Sequence, residues 1–403
     1  MTKKLSKPII ATVLIVCVVS ISGFIQVHAV GVQLTQTFLS PMPASDTFFG
    51  FSVASFDKKI IVGAPFDNTA GTHAGAAYLL NASNGALLRT FLSPTPNSED
   101  LFGLSVAAIG NKILVGEPFV NAGAQGSGAA YLFDSATGLL IRTFVNPVPT
   151  PFAEFGLSVA AMKNHVGESS GRMGVNILVG GVTAAYLFDG VSGVLLHTFH
   201  DPNPTPGDGF GSKVVPVDGN VLVGALFASS GGTSAGAAYL FDSNTGNLLQ
   251  TFLNPIPIYN GEFGLAMGSI KGNVIISAPQ DVANGIQAGV VFVFNATSGT
   301  LVRTIPDPTP DNINQFGRSI TVNGNDIVIG APGDSTAAIN AGAIYRFDGS
   351  SFGLVQTVLD PNPGQQDSFG QSLFSIGGNI LVGAPHARIA GQPAGAVYLY
   401  KMM

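Results

Sequence analysis

The sequence is poor in cysteine, tryptophan and charge. Of its 403 residues, one is cysteine, none is tryptophan and 10% are charged, whereas roughly 25% of an average soluble domain is charged. A single cysteine excludes an intramolecular disulfide and a thiolate metal cage. Intrinsic disorder is excluded as well, because disordered chains combine low hydrophobicity with high net charge and 46% of this chain is hydrophobic.

The first 29 residues have the pattern of a secretory signal peptide. The basic segment Lys3–Lys7 precedes an apolar run at 9–19, and Val27–Ala29 resembles a small-residue cleavage site. An uncleaved anchor is the alternative, since residues 8–27 approach the roughly 20 residues that span a bilayer. We expect cleavage after residue 29 and a secreted or cell-surface protein that is not inserted in the membrane.

The expected mature chain is acidic. Cleavage would remove three of the 17 basic residues and none of the 23 acidic ones. The formal charge would then be −9. Nucleic acid is therefore not an expected partner, because binding to its phosphates requires clustered lysine and arginine.

A Phe-Gly pair recurs seven times at intervals of 53 residues, with one interval of 55. Each pair is followed by an apolar triplet leading to Gly-Ala-Pro or a variant of it, and then by an aromatic residue. Such a period indicates a repeat architecture. The pairs begin at Phe49, Phe102, Phe155, Phe210, Phe263, Phe316 and Phe369, and the aromatic column is Tyr78, Tyr131, Tyr186, Tyr239, Phe292, Tyr345 and Tyr398.

Each unit contains four short β-type runs separated by turn signals, the pattern of a propeller blade. Runs such as Ile60–Val62 are continuously apolar, which is typical of strands buried on both faces. The seventh unit has no fourth run after Tyr398, whereas Leu34–Phe38 supplies one before the first pair. The sequence therefore predicts an all-β, seven-bladed propeller of four-stranded antiparallel blades. It would form a single domain, residues 30–403, whose last blade is closed by the N-terminal strand.

The Phe-Gly and Gly-Ala-Pro columns, with Gly-Ala-Ala-Tyr-Leu-Phe between them, resemble FG-GAP repeats, the units of the integrin α-chain propeller. The resemblance covers all seven units, about residues 32–403. It implies an extracellular ligand-binding or adhesive role, with calcium in some members. Those members have an Asp-x-Asp-x-Asp-Gly-type loop between the first two strands, where this chain has short turns such as Gly110–Lys112. We therefore expect no metal and no cofactor.

An acidic residue recurs just before Phe-Gly in six of the seven units. In an up-and-down blade this segment lies on the same face as the connection between strands two and three. Both are long here, so we name this side the long-loop face and expect it to bind ligands. The acids would bind a cation or cationic ligand around the channel mouth, or each would cap its own loop. They are Asp46, Asp100, Glu154, Asp208, Glu262 and Asp367.

Two further features have two interpretations each. The third unit has an 11-residue insertion, roughly Lys163–Gly174, in its first turn and a shortened second loop, which would form a partner contact or reflect drift of one redundant blade. Asn81 and Asn295 begin N-glycosylation sequons in the turn between strands three and four. Alternatively, asparagine there replaces the turn aspartate found at Asp134 and its equivalents.

No convergent nucleophile, base or metal set is present. Gly-x-Ser-x-Gly matches such as Gly232–Gly236 lack the strand-turn-helix setting of a nucleophile elbow. We therefore expect a non-catalytic, monomeric binding or adhesion module for an extracellular protein or glycan. The alternatives are a secreted hydrolase or lyase that uses the acidic rim, and a structural component of the cell envelope.

Overall fold

The structure, a computed structural model, describes residues 31–43, 46–164, 174–282, 285–389 and 391–402. The predicted signal peptide lies outside these ranges. The described residues from Val32 onward form one compact unit, and its regular elements are β-strands. No helix in the described ranges has the length and apolar character needed to cross a bilayer.

Seven four-stranded antiparallel sheets form the blades, numbered here along the chain. The chain begins with β1 (Val32–Leu39). Blades 1 to 3 comprise β2 (Ser52–Phe56), β3 (Lys59–Ala64), β4 (Ala76–Asn81), β5 (Leu87–Leu92), β6 (Ser105–Ile109), β7 (Lys112–Glu117), β8 (Ala129–Asp134), β9 (Leu140–Val145), β10 (Ser158–Asn164), β11 (Gly174–Gly180), β12 (Ala185–Asp189) and β13 (Leu195–Phe199).

Blades 4 to 6 follow the same order. They comprise β14 (Phe210–Val217), β15 (Asn220–Ala225), β16 (Ala237–Phe241), β17 (Leu248–Leu253), β18 (Met267–Ile270), β19 (Asn273–Ala278), β20 (Val290–Asn295), β21 (Leu301–Pro306), β22 (Ser319–Asn323), β23 (Asp326–Ala331), β24 (Ala343–Asp348) and β25 (Leu354–Leu359). Blade 7 contains β26 (Ser372–Ile376), β27 (Asn379–Ala384), a small hairpin of β28 (Arg388–Ile389) and β29 (Gln392–Pro393), and β30 (Ala396–Met402).

The N-terminal strand closes the ring. β1 pairs antiparallel with β30, with Thr37 opposite Tyr398, so blade 7 has the strand order β1-β30-β27-β26. Seven clusters of buried residues each join two neighbouring blades. One of them joins blade 7 to blade 1 by packing Phe38 and Leu381 with Ile60. The predicted seven-bladed propeller and its closure are confirmed.

The second strands account for the low charge of the chain. In β3, β7, β15, β19, β23 and β27, every residue after the first is buried. Neighbouring blades cover both faces of these strands, so a charged side chain there would be desolvated without a partner. Charge is therefore confined mainly to loops, turns and strand edges.

The Phe-Gly pair of one blade packs against the Gly-Ala-Pro segment of the preceding blade. Gly63 of blade 1 lies against the carbonyl oxygen of Gly103 in blade 2, and a Cβ at Gly63 would stand 2.0 Å from that oxygen. The Ser52 hydroxyl donates a hydrogen bond to the same oxygen at 2.9 Å. Gly103 has a φ of +91°, which favours glycine. Equivalent bonds join Ser105 to Gly156, Ser319 to Gly370 and Ser372 to Gly50.

The phenylalanines of the seven pairs are fully buried. Each contacts the aromatic residue of the third column in its own blade, with ring centroids 5.3 to 5.9 Å apart. Tilted and edge-on pairs at this distance add to the stabilisation from burial. The aromatic residue that recurs in each unit is therefore part of the blade core, as its regular recurrence indicates.

Blade 3 departs from the other blades in its first turn and second loop. Its first hairpin is paired as far as Asn164 opposite Gly174, and residues 165–173 of the predicted insertion lie outside the described residues. The loop between β11 and β12 is reduced to residues 181–184, whereas residues 118–128 join the corresponding strands of blade 2. The shortened loop leaves less covering on this part of the long-loop face.

The close contact between blades predicts the effect of adding one methyl group. A Cβ at Gly116 would stand 2.0 Å from the backbone oxygen of Gly156, so we expect Gly116→Ala to lower the free energy of unfolding by about 1–3 kcal/mol. The control Gly353→Ala places its Cβ 3.4 Å from the nearest atom and should change stability little. Chemical denaturation measures both, and equal stabilities would contradict the proposed contact.

Candidate functional site

Three of the predicted acids are buried and cap their own loops. Asp100, Asp208 and Asp367 stand two residues before a Phe-Gly pair. Asp208 accepts hydrogen bonds from the backbone amides of Thr205 at 2.6 Å and Phe210 at 3.1 Å. Asp100 and Asp367 likewise accept from the amide three residues earlier, at 2.9 and 2.7 Å. This geometry favours the capping interpretation for these three.

The other three acids occupy different positions in the loop. Glu154 and Glu262 stand directly before Phe-Gly, where the backbone has a φ of +53° and +57°, and burial raises the pKa of both carboxyls. Asp46 stands three residues before the pair and is exposed. The six acids therefore do not share one environment. Within the described ranges, no group of three or more His, Cys, Asp or Glu residues could hold a metal ion.

A layer of buried carboxyl groups beneath the long-loop face was missed by sequence reasoning. The Tyr78 hydroxyl donates to Asp67 at 2.6 Å, and the Tyr345 hydroxyl donates to Asp334. The sequence does contain a sign of other polar residues in this layer, because a polar residue stands directly before each Pro-x-Pro segment. These residues are Ser40, Ser93, Asn146, Asp201, Asn254, Asp307 and Asp360, and all except Asp201 are buried.

Three buried carboxyls of this layer ionise at a higher pH than exposed carboxyls do. Burial raises the pKa of Glu117 to about 7, that of Asp281 to about 7 and that of Asp360 to about 6. Both carboxyl oxygens of Glu117, and one each of Asp281 and Asp360, are buried without a hydrogen-bond partner of ordinary geometry. Desolvation disfavours the ionised form of such groups.

A pocket of about 490 Å³ opens on the long-loop face between blades 6, 7 and 1. Its walls include Phe51, Arg318 and Gln371, which each follow a Phe-Gly pair at the start of an inner strand. Loop residues complete it, among them Gln315 and Ser368 directly before a Phe-Gly pair. The pocket therefore lies at the axial end of three blades, and its volume is typical of a small-ligand site.

Arg318 supplies positive charge to this pocket. When the Gln371 amide oxygen faces the guanidinium group, it accepts from Nε and Nη2 of Arg318 at 3.2 Å each. Burial lowers the pKa of Arg318, an effect that the charge of Glu262 opposes. Burial also lowers the pKa of Lys213, and the charge of Arg318 lowers it further. Among the described residues, neither cation has a carboxylate within 4.0 Å.

His386 occupies the blade 7 wall of the pocket. Its Nδ1 lies 3.1 Å from the Ser368 hydroxyl, and its ring packs edge-on against Phe48 with centroids 4.3 Å apart. Burial lowers the pKa of His386. At neutral pH the ring therefore contributes a polar, uncharged wall.

The two sequon asparagines occupy equivalent turns. The Asn81 side-chain oxygen accepts from the amide of Ser83 at 2.8 Å, and that of Asn295 accepts from the amide of Ser298 at 2.8 Å. Asp134 makes the same kind of bond with the amide of Thr137. Asparagine thus takes the capping role of aspartate here, and glycosylation stays a prediction.

Comparisons with known proteins agree with this fold. Three segments, residues 37–80, 93–133 and 311–347, match the FG-GAP repeat model, so the chain carries FG-GAP repeats, as the resemblance implied. The solved structure of the computationally designed Ika8 protein is similar over 90% of this chain and 98% of that chain, with a TM-score of 0.50 and 13% identity. That likeness concerns the fold alone. No curated protein matches this sequence.

The buried carboxyl groups predict a stability that falls as pH rises. Between about pH 4 and 7 the folded state holds protons that exposed carboxyls of the unfolded chain have lost. Thermal melts should therefore show a lower melting temperature at pH 8 than at pH 5. Glu117→Gln should reduce this loss by up to about 3 kcal/mol, because Glu117 is fully buried. Asp218→Asn, at an exposed site, is the control, and equal pH profiles for both variants would contradict the prediction.

Asp208 distinguishes a loop cap from a cation ligand. Asp208→Ala leaves two loop amides without their acceptor, and we expect it to destabilise the fold by about 1–3 kcal/mol. Asp208→Asn keeps a side-chain oxygen and should destabilise less. Calcium should leave the melting temperatures of all three proteins unchanged. A calcium-dependent rise in the parent protein that Asp208→Ala abolishes would instead support the cation site.

Proposed function

We propose that this FG-GAP propeller is a secreted or cell-surface, non-catalytic binding and adhesion module that recognises an extracellular protein or glycan through its long-loop face. The pocket between blades 6, 7 and 1 is the observation that carries the proposal. It is formed by loop side chains on a framework held by contacts between blades. A rigid scaffold that positions variable loops is a common arrangement for recognition.

Exposed apolar side chains on the same face support this function. Tyr259 is 70% exposed in the loop after β17, and Ile313 and Ile339 are 59% and 60% exposed beside the pocket loops. Phe152 is also exposed, in the loop that leads to blade 3. Aromatic and aliphatic side chains among polar loops are the composition that interaction surfaces favour.

A structural role is a second candidate, favoured by the outer strands. Six blades begin their outer strand with two adjacent aliphatic residues that are 38 to 48% exposed. Exposed outer strands also present an edge on which another chain could pair. These features favour self-association of blades side by side. The pairs are Leu87 and Leu88, Leu140 and Ile141, Leu195 and Leu196, Leu248 and Leu249, Leu301 and Val302, and Leu354 and Val355.

A matched pair of variants tests which surface binds. Tyr259→Asp alters the long-loop face, whereas Val191→Asp alters a residue of similar exposure, 71%, in the turn between β12 and β13 on the other face. The purified protein is immobilised and exposed to a native surface extract and a glycan array, with and without divalent cations. We expect Tyr259→Asp to reduce the specifically retained material at least several-fold and Val191→Asp to leave it unchanged.

The same experiment can contradict the proposal. Equal retention by Tyr259→Asp and the parent protein, or loss through Val191→Asp alone, would place binding elsewhere. Light scattering of the purified protein gives the second readout. Ordered polymers that Leu248→Asp disperses, without retention of any soluble ligand, would favour the structural candidate.

A further inference from the structure

We propose that the pocket between blades 6, 7 and 1 binds an acidic saccharide, with the Arg318 guanidinium paired to the sugar carboxylate. This inference rests on the proposed binding function and names the ligand class of that site. The main observation that supports this inference is the position of Arg318 in the wall of the pocket. The polar side chains around Arg318 add to the argument.

Among the described residues, no carboxylate compensates the charge of Arg318 within 4.0 Å. Gln371 can occupy Nε and Nη2 of Arg318, but a guanidinium group has five N–H donors. Nη1 has no hydrogen-bond partner among the described residues, and it is not one of their buried unpaired atoms. A cation enclosed by protein is stabilised by an anion that can reach it. The free donors of Arg318 therefore favour a planar carboxylate, which matches a guanidinium group in two parallel hydrogen bonds.

The charged groups near Arg318 are Lys213 and Glu262. Lys213 lies in β14, the inner strand of blade 4, where burial lowers its pKa and the charge of Arg318 lowers it further. Glu262 is the opposing group, and its charge favours the charged form of Arg318 without forming an ion pair at 4.0 Å. Among the described residues, Arg318 is thus a cation of the pocket wall without a carboxylate within 4.0 Å, so the potential at this wall is positive. A negatively charged ligand would be attracted there and a cationic ligand repelled.

The polar side chains in the pocket wall favour a sugar over a peptide. Gln315, Gln366 and Asn340 each have a carboxamide, and Ser368 has a hydroxyl. Each of these groups both donates and accepts hydrogen bonds, as sugar hydroxyls do. Phe51 adds an apolar ring against which the C–H face of a sugar could pack. The pocket is compact, at about 490 Å³, whereas an extended peptide usually needs a groove or a sheet edge.

The test uses defined ligands and two arginine variants, each of which removes one positive charge. Oligouronates and sialyl oligosaccharides are titrated into the full protein by calorimetry, beside the same sugars with the carboxylate reduced to an alcohol. Arg318→Gln removes the pocket cation, and Arg303→Gln removes an exposed arginine on β21. Loss of a charge-assisted hydrogen-bonded pair corresponds to about 10-fold to 100-fold in affinity.

We expect at least one acidic saccharide to bind the parent protein, with about 10-fold to 100-fold weaker binding by Arg318→Gln and unchanged binding by Arg303→Gln. Carboxyl reduction should weaken binding to the parent protein similarly, and Lys213→Gln should weaken it less. Thermal melts confirm that each variant is folded.

Several outcomes would overturn the inference. They are equal binding of acidic and reduced sugars, unchanged affinity in a folded Arg318→Gln variant, binding of an acidic peptide but no saccharide, and no binding of any acidic saccharide. If neutral sugars or a protein ligand still bind in a Tyr259-dependent way, the proposed function stands and only the acidic ligand class fails. If no ligand of any kind binds through the long-loop face, both fail.

Discussion

The ring depends on a contact between neighbouring blades, in which the carbonyl oxygen of a Phe-Gly glycine accepts a hydrogen bond from a serine of the preceding blade at four of the interfaces. In the first blade pair, Ser52 donates to the Gly103 oxygen and Gly63 leaves room for it. The same contact between Ser372 and Gly50 joins the last blade to the first. A polar bond inside an apolar interface fixes the position of one blade against the next, because a displaced blade would leave a buried carbonyl unsatisfied. Apolar burial then provides most of the stabilisation.

The polar groups of the fold are concentrated beneath the long-loop face. Tyrosine hydroxyls, carboxyls and loop amides meet there, as in the pairs Tyr78–Asp67 and Tyr186–Asn146. This layer connects the loops to the blades, and burial raises the pKa of Glu117 and Asp281 within it, so that these two retain protons at pH values where exposed carboxyls are ionised. The framework beneath the loops is therefore sensitive to pH.

The repeated sequence motifs identified the blades, but they did not identify the residues of the pocket. The acids before Phe-Gly recur, and at Asp100, Asp208 and Asp367 they hold their own loops. The residue after Phe-Gly is not constant, although leucine occupies this position in three units. It is Phe51, Leu104, Leu157, Ser212, Leu265, Arg318 or Gln371, and the only charged one lines the pocket. A feature shared by every unit is needed for stacking, whereas a feature of one unit is free to serve recognition. A search for repeated motifs therefore predicts the blades and overlooks Arg318.

The sequence by itself determined the number of blades, the four strands in each and the closure by Leu34–Phe38. These follow from local period, turn residues and apolar runs, which act within one unit or between neighbours. Only the tertiary structure decided which side chains share the pocket, because closure brings Phe51 beside His386 although most of the chain separates them. It also decided the environment of each acid. Moving a carboxylate by one residue, from the position of Asp208 to that of Glu262, changes which amides it can reach.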